Sequence, residues 1–286
     1  MTSPFDVLLE PTENKGAKIV TLTMTDTSGR YRIGPPTRPN IVHDNGFLDV
    51  YETRKPSAAD KLKLAQWIVI LEGAEDFCVG PSAKITPGCH GEELTDATAA
   101  YRHFLFGNGA DRTINYERYL QDDPEGRKLM PILIRDFQEH AEIIGHDRTK
   151  FSVTSTSYPI NKNSVGGYPS TENWQKAIGA HFVWLSADIT VSAGDTGEIT
   201  YDADVTVHME DRYNFNPGQA DKATGIPDAA NGRFEITGLG KQYTNFATVR
   251  RHVTWVEGTR EKTAASGAPS DRQRKPQDSR RLRNKV

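Results

Sequence analysis

Twenty-three positions, Asp211 to Arg233, hold Asp211, Asn214, Asn216, Asp221, Asp228, Asn231 and Arg233, interrupted by the aromatics Tyr213 and Phe215. Carboxylates and amides at that density serve either as turn formers or as a site. Asn-Pro-Gly and Asn-Gly close turns through local side-chain hydrogen bonds, whereas the same oxygens suit a hard cation such as Mg2+ or Ca2+. The segment is not an EF-hand, because that spacing would put Tyr213 and Phe215 at ligand positions. The candidate catalytic residues are Asp211, Tyr213, Asn214, Asp221, Arg233 and His208, and the candidate metal ligands are Asp211 and Asp228. Arg212, Arg233, Arg250, Arg251, His208 and His252 can bring positive charge to the segment from neighbouring strands.

These residues follow an alternating run. Val183, Leu185, Ala187, Ile189 and Val191 alternate with more polar positions, and after AGDTGE a second alternation runs from Ile199 to Met209. Period two on both sides of Gly-Asp-Thr-Gly predicts a hairpin. Its second strand carries His208 on a polar face with Asp204, Thr206 and Glu210. RFEITGL (233–239) and TVRRHVTWV (248–256) read as two further strands. Upstream the periodicity is helical. Ser57 caps a helix over AADKLKLAQWIVILEGAEDF, whose wide apolar face predicts deep burial, with membrane insertion as the alternative. Thr95 caps a second helix ending at Gly107–Gly109, and a third helical region spans Tyr116 to Ile144, restarted by Asp123-Pro124 and interrupted at Pro131. Asp136 and His140, four apart, read as an exposed pair on that helix rather than a metal site. Lys18–Thr25 reads as a strand ahead of the Pro-rich stretch GPPTRPN. The fold class is therefore α+β: a mostly helical module in 1–150, then an antiparallel sheet or half-open β-barrel in 151–257, then a basic tail in 258–286.

At the end of the second hairpin strand, Asp211-Arg212-Tyr213-Asn214-Phe215-Asn216-Pro217 resembles the active-site segment of colicin M-type bacteriocins, whose motif is Asp-x-Tyr-Asp, five residues, then His-Arg. Asp211 and Tyr213 match. Asn214 stands in place of the second Asp, and the His-Arg positions fall on Ala220 and Asp221. An amide is neither nucleophile nor general base. The resemblance implies Mg2+-assisted cleavage of the lipid-linked peptidoglycan precursor lipid II, with Asp211 as metal ligand or nucleophile and Tyr213 orienting it. It implies a toxin made in the producer cytoplasm, released without a cleavable signal and acting on a lipid-linked substrate at the membrane surface of the target periplasm. An immunity protein or a secretion-apparatus component would be the protein partner. The alternatives are a non-enzymatic relative that acts on membranes, and a binding or structural component of a larger assembly.

Composition narrows the remaining classes. Hydrophobic residues make up 36% of 286, with 24 glycines besides, enough for a core. The longest apolar run, Trp67–Leu71, falls far short of the stretch of about 20 residues that crosses a membrane. The first twenty residues lack the basic start and apolar stretch of a secretory signal. Two cysteines, Cys78 and Cys89, suffice for one bridge at most. From Glu257 onward nine basic residues face four acidic ones, while residues 1–256 hold 26 against 34. The tail lacks the apolar residues needed to order it. An acidic body argues against nucleic acid except through that tail. No Walker loop, GxGxxG, GxSxG or HExxH occurs.

Overall fold

A computed structural model describes residues 29–259 apart from 77, 80–84, 87–93, 146, 222–224 and 226. In chain order the elements are β1 (Tyr31–Ile33), α1 (Phe47–Val50), α2 (Ala58–Asp76), β2 (Cys78–Val79), β3 (Ile85–Thr86), α3 (Thr95–Phe106), β4 (Arg112–Thr113), α4 (Tyr116–Asp122), α5 (Gly126–Gly145), β5 (Lys150–Ser155), β6 (Tyr158–Ile160), α6 (Glu172–Ala177), β7 (His181–Ala193), β8 (Ile199–Tyr213), α7 (Ala229–Thr237) and β9 (Tyr243–Val256). The fold is α+β. Its seven-stranded sheet runs β1-β5-β7-β8-β9-β4, with β6 also on β7. Only β4 and β9 pair in parallel, and the sheet does not close into a barrel.

The β7–β8 hairpin forms as its alternation predicts. Ala193 pairs with Ile199 across a turn in which Gly194 N–H donates to Glu198 O at 2.8 Å and Gly197 takes φ +81°. Odd-numbered residues of β8 from Tyr201 to Asp211 are buried on one face. Against that face lies α5, whose Leu129, Met130, Leu133, Ile134, Phe137 and Ala141 join Val183, Leu185, Val205, Val207 and Trp255 in one core. Each large apolar side chain buried there contributes about 1.5–3 kcal/mol. The even-numbered face carries polar residues, open to solvent at the hairpin end and crossed at the other by the chain between β1 and α1.

Several expectations change. RFEITGL is helix, not strand. The edge of β8 away from β7 is taken along its whole length by β9, from Thr200↔Val256 to Tyr213↔Tyr243, which leaves no partner for another strand there. Gly238 terminates α7 at φ +70°, with Leu239 N–H donating to Phe234 O at 2.9 Å. Thr95 is not a cap but the first helical residue of α3. The amides of Asp96 and Ala97, which the helix itself leaves free, donate to Asn173 Oδ1 on α6 at 2.9 and 3.0 Å, so a distant side chain does the capping. Helix α2 is not deeply buried: it lies on α3 and α7, with only part of its circumference covered. Ser57 does cap it, in a reciprocal box with Asp60 at 2.8 and 3.2 Å.

A further change concerns Asp136 and His140, which are buried, not exposed. Asp136 accepts from Arg30 at 2.6 Å and Tyr158 Oη at 2.6 Å, tying β1 and β6 to α5. Sequence periodicity carries no sign of this, because the partners lie 106 and 22 residues away. Pro131 sits inside an α5 that runs unbroken. Lys18–Thr25, Cys89 and the basic tail beyond Thr259 lie outside the described residues. No helix among those described is long and apolar enough to cross a membrane.

Candidate functional site

Strand β8 ends in the Asp211–Asn214 segment, and its pleat sends alternate residues to opposite sides. Asp211 faces the core, 3% exposed, and its Oδ2 accepts from Asn245 Nδ2 at 2.9 Å. Burial pushes its carboxyl up to about 8, against the opposing pull of Asn245 and Arg212. Tyr213, on the same side, is packed among aromatic rings, stacked on Tyr243 at 5.0 Å with Phe215 at 5.7 Å and Phe104 at 6.1 Å, and burial drives its hydroxyl well above the ordinary value.

The outer face holds the even-numbered residues. His208 stacks flat on Trp184 at 3.6 Å and bonds Ser186 Oγ at 2.9 Å; burial, helped by Arg250, pushes it down to about 4. Glu210 accepts a two-pronged hydrogen bond from Arg38, at 2.7 Å from Nε and 2.6 Å from Nη2. It also bonds His43 Nε2 at 2.7 Å. Burial alone would raise the Glu210 carboxyl, but Arg38 and His43 outweigh it and hold it at about 2, so it is ionised at every working pH. Arg212 follows on the same face. Its Nη2 donates to Gln242 Oε1 at 3.2 Å and its Nη1 to Thr244 Oγ1 at 3.4 Å, its Nε has no partner, and no ion pair joins it to a carboxylate among the described residues. Asn214 Nδ2 donates to Asp44 Oδ1 at 2.7 Å and to Asp44 O at 3.1 Å.

His43, Arg38 and Asp44 all come from the Pro-rich stretch after β1, which has no periodicity in the sequence to mark it. The stretch is pinned at Gly46. At φ +52° its Cα lies so close to the turn after β8 that a Cβ would stand 1.9 Å from Phe215 O. Phe47 N–H donates to that same oxygen at 3.2 Å. Gly46→Ala therefore combines a left-handed backbone cost with a clash against main chain, about 3 kcal/mol together. A thermal melt should show the loss; an unchanged Tm would mean that the strap is not anchored there.

The remaining candidates sit apart. Arg233 makes a two-pronged pair with Asp60 of α2 at 2.8 and 2.9 Å. Asp221 pairs with Lys176 of α6 at 3.4 Å. Asp228 accepts from Asn216 N–H at 3.1 Å, and burial, with Asp221 nearby, raises its carboxyl. Close to it Glu235 of α7 is buried, its Oε1 accepting from Phe215 N–H at 3.1 Å and its Oε2 unpartnered; burial lifts it to about 8. Among the described residues Asp211 and Asp228 share no hydrogen-bond partner. Asp211 faces the core with one oxygen spent on an amide, and no group of three His, Cys, Asp or Glu able to hold a metal occurs among the described residues. What the strand end does assemble is an imidazole bonded to the Glu210 carboxylate and, two residues further along the same face, a guanidinium held by Gln242 and Thr244.

No family model and no curated protein matches the chain. Among solved structures it is similar to PaeM, a colicin M-like bacteriocin produced by Pseudomonas aeruginosa, with a TM-score of 0.36 and 14% identity over 56% of this chain and 50% of that one. The chain thus spans about half the length of that protein, and the likeness in fold is weak.

Proposed function

We propose that this chain is an antibacterial toxin that hydrolyses a lipid-linked pyrophosphate of the lipid II type, with its reaction centre on the outer face of the β8 end. The observation that carries the reading is the convergence of Arg38 and His43 on Glu210, next to the Asp211-x-Tyr213 segment. A histidine and an arginine reach this strand end from the N-terminal strap, although positions 220 and 221 have neither. Glu210 accepts from His43 Nε2–H and leaves Nδ1 as the ring nitrogen that can take a proton. As water attacks phosphorus, Nδ1 takes its proton; the bond from phosphorus to the leaving oxygen breaks, and the imidazolium returns the proton to that oxygen. Arg212 is the charge that meets the phosphate oxygens. Asp211 acts through the fold, as the buried group that seats the strand end against Asn245.

The test is turnover of purified lipid II in detergent micelles. His43→Ala should lower the rate about a hundredfold or more, the usual contribution of a general base, and Arg212→Gln should also lower it, whereas Asp211→Asn should retain most of it. If Asp211→Asn is dead while folded and His43→Ala is not, the centre lies on the core face instead. If no variant or wild-type protein turns substrate over, yet the protein still depolarises target cells, the non-enzymatic reading replaces this one.

A further inference from the structure

Helix α2 is apolar on two opposite sides, and only one of them is used by the fold. Leu64, Trp67, Ile68 and Leu71 point toward α3 and α7, with Trp67 against Tyr101 at 6.0 Å and Leu64 and Trp67 beside the small cluster of Phe104, Phe234 and Tyr243. At about 3.6 residues per turn, Ala58, Leu62, Ala65 and Val69 form a second stripe on the opposite side. All four are exposed, Leu62 at 64% and Val69 at 68%. Lys61 and Lys63 lie to either side of that stripe, and Arg54 and Lys55 stand just before the helix. Lys55, Lys61 and Lys63 are in no ion pair among the described residues, and the acid within this stretch of helix, Asp60, is turned inward, held by Arg233 and Ser57 and attracted by Arg54. The next acid, Glu72, comes only at the far end of the stripe.

An apolar ridge between two lysines, on a helix lying flat along the surface, is the pattern of an interfacial membrane helix: the ridge enters the acyl boundary while the lysine stems run up to the headgroups. We propose that the outer stripe of α2 docks this protein on an anionic lipid bilayer. Charge complementarity selects this occupant: basic residues ring the stripe although residues 1–256 are acidic as a whole, and each Lys or Arg near an anionic surface adds to binding. The inference deepens the proposed function, on whose membrane-borne substrate it rests, by specifying how the enzyme is held at the surface.

Vesicles that contain no lipid-linked substrate test it separately from hydrolysis. The full chain should co-sediment with vesicles of phosphatidylglycerol mixed into phosphatidylcholine, and lose that binding in pure phosphatidylcholine and at high salt. Val69→Asp should weaken it at least tenfold, Lys61→Glu/Lys63→Glu likewise, and Leu62→Ser should weaken it without introducing charge. All these sites are exposed, so far-ultraviolet circular dichroism and Tm should stay at the wild-type values. Turnover of lipid II in micelles should be unchanged in these variants while turnover of vesicle-borne lipid II falls. Absence of vesicle binding by folded wild-type protein, equal binding by Val69→Asp, or a concentration-dependent dimer abolished by Val69→Asp would each overturn the proposal, the last by giving the stripe to a second copy. Failure of hydrolysis with intact, variant-sensitive vesicle binding would sink the enzymatic reading and leave the docking surface standing.

Discussion

Asp123→Ala is expected to destabilise the fold by about 4 kcal/mol, the range seen when a buried charge partner is removed. The Asp123 carboxylate is fully buried and receives six donors: the amides of Glu125 and Gly126 at the start of α5, and both the amide and the hydroxyl of Ser170 and of Thr171. It therefore caps α5 and clamps the loop before α6 at once, and its loss leaves six donors, the buried Gly126 amide among them, without their acceptor. Burial by itself would raise this carboxyl, but the donors of Thr171, Glu125 and Gly126 outweigh it and hold it below the ordinary value. The sign follows. A depressed carboxylate contributes its stability above the unfolded pKa near about 3.9 and loses it as pH falls through the folded one. Urea titrations at pH 7 should show the midpoint falling with the slope unchanged, and the gap between wild type and Asp123→Asn should close on acidification. A loss below about 1 kcal/mol at pH 7 would show that the six donors find other partners.

The second large effect runs the other way with pH. Asp211 and Glu235 are both lifted to about 8 by burial. Below about pH 4 each is protonated in folded and unfolded chains alike and contributes no pH dependence. Between about 4 and about 8 the unfolded chain ionises while the folded one keeps its protons, so stability falls as pH rises through that window and levels off above it. At about 1.4 kcal/mol for each tenfold in proton affinity, the pair is worth several kcal/mol by pH 8. Asp211→Asn/Glu235→Gln should flatten this slope and be more stable than wild type at pH 8. The amide also gives Asn245 Oδ1, unpartnered here, a donor to meet. Chemical denaturation at pH 5 and pH 8 decides it: equal slopes for wild type and double variant would mean that water reaches these carboxyls and ionises them normally.

The two buried carboxyls and the outer-face dyad mark the boundary between what the chain shows by itself and what folding adds. Local rules were enough for the β7–β8 hairpin, for the Ser57 cap and for the break between α4 and α5, because turn chemistry, capping and period-two burial act over a few residues. The same periodicity placed His208 and Glu210 on one polar face with Asp204 and Thr206. It could not say what that face would meet. That was decided by pairings between residues far apart in the chain, as were other joins of the fold: Arg38 and His43 reaching Glu210, Arg30 reaching Asp136, Asn173 capping α3. Segment 233–239 became helix for the same reason, since the strand edge that it would have joined was already filled by β9. Burial of the Asp211 carboxyl, exposure of an apolar stripe on α2 and the bonding of His43 to Glu210 are all properties of neighbours, and neighbours exist only once the sheet and its strap are assembled.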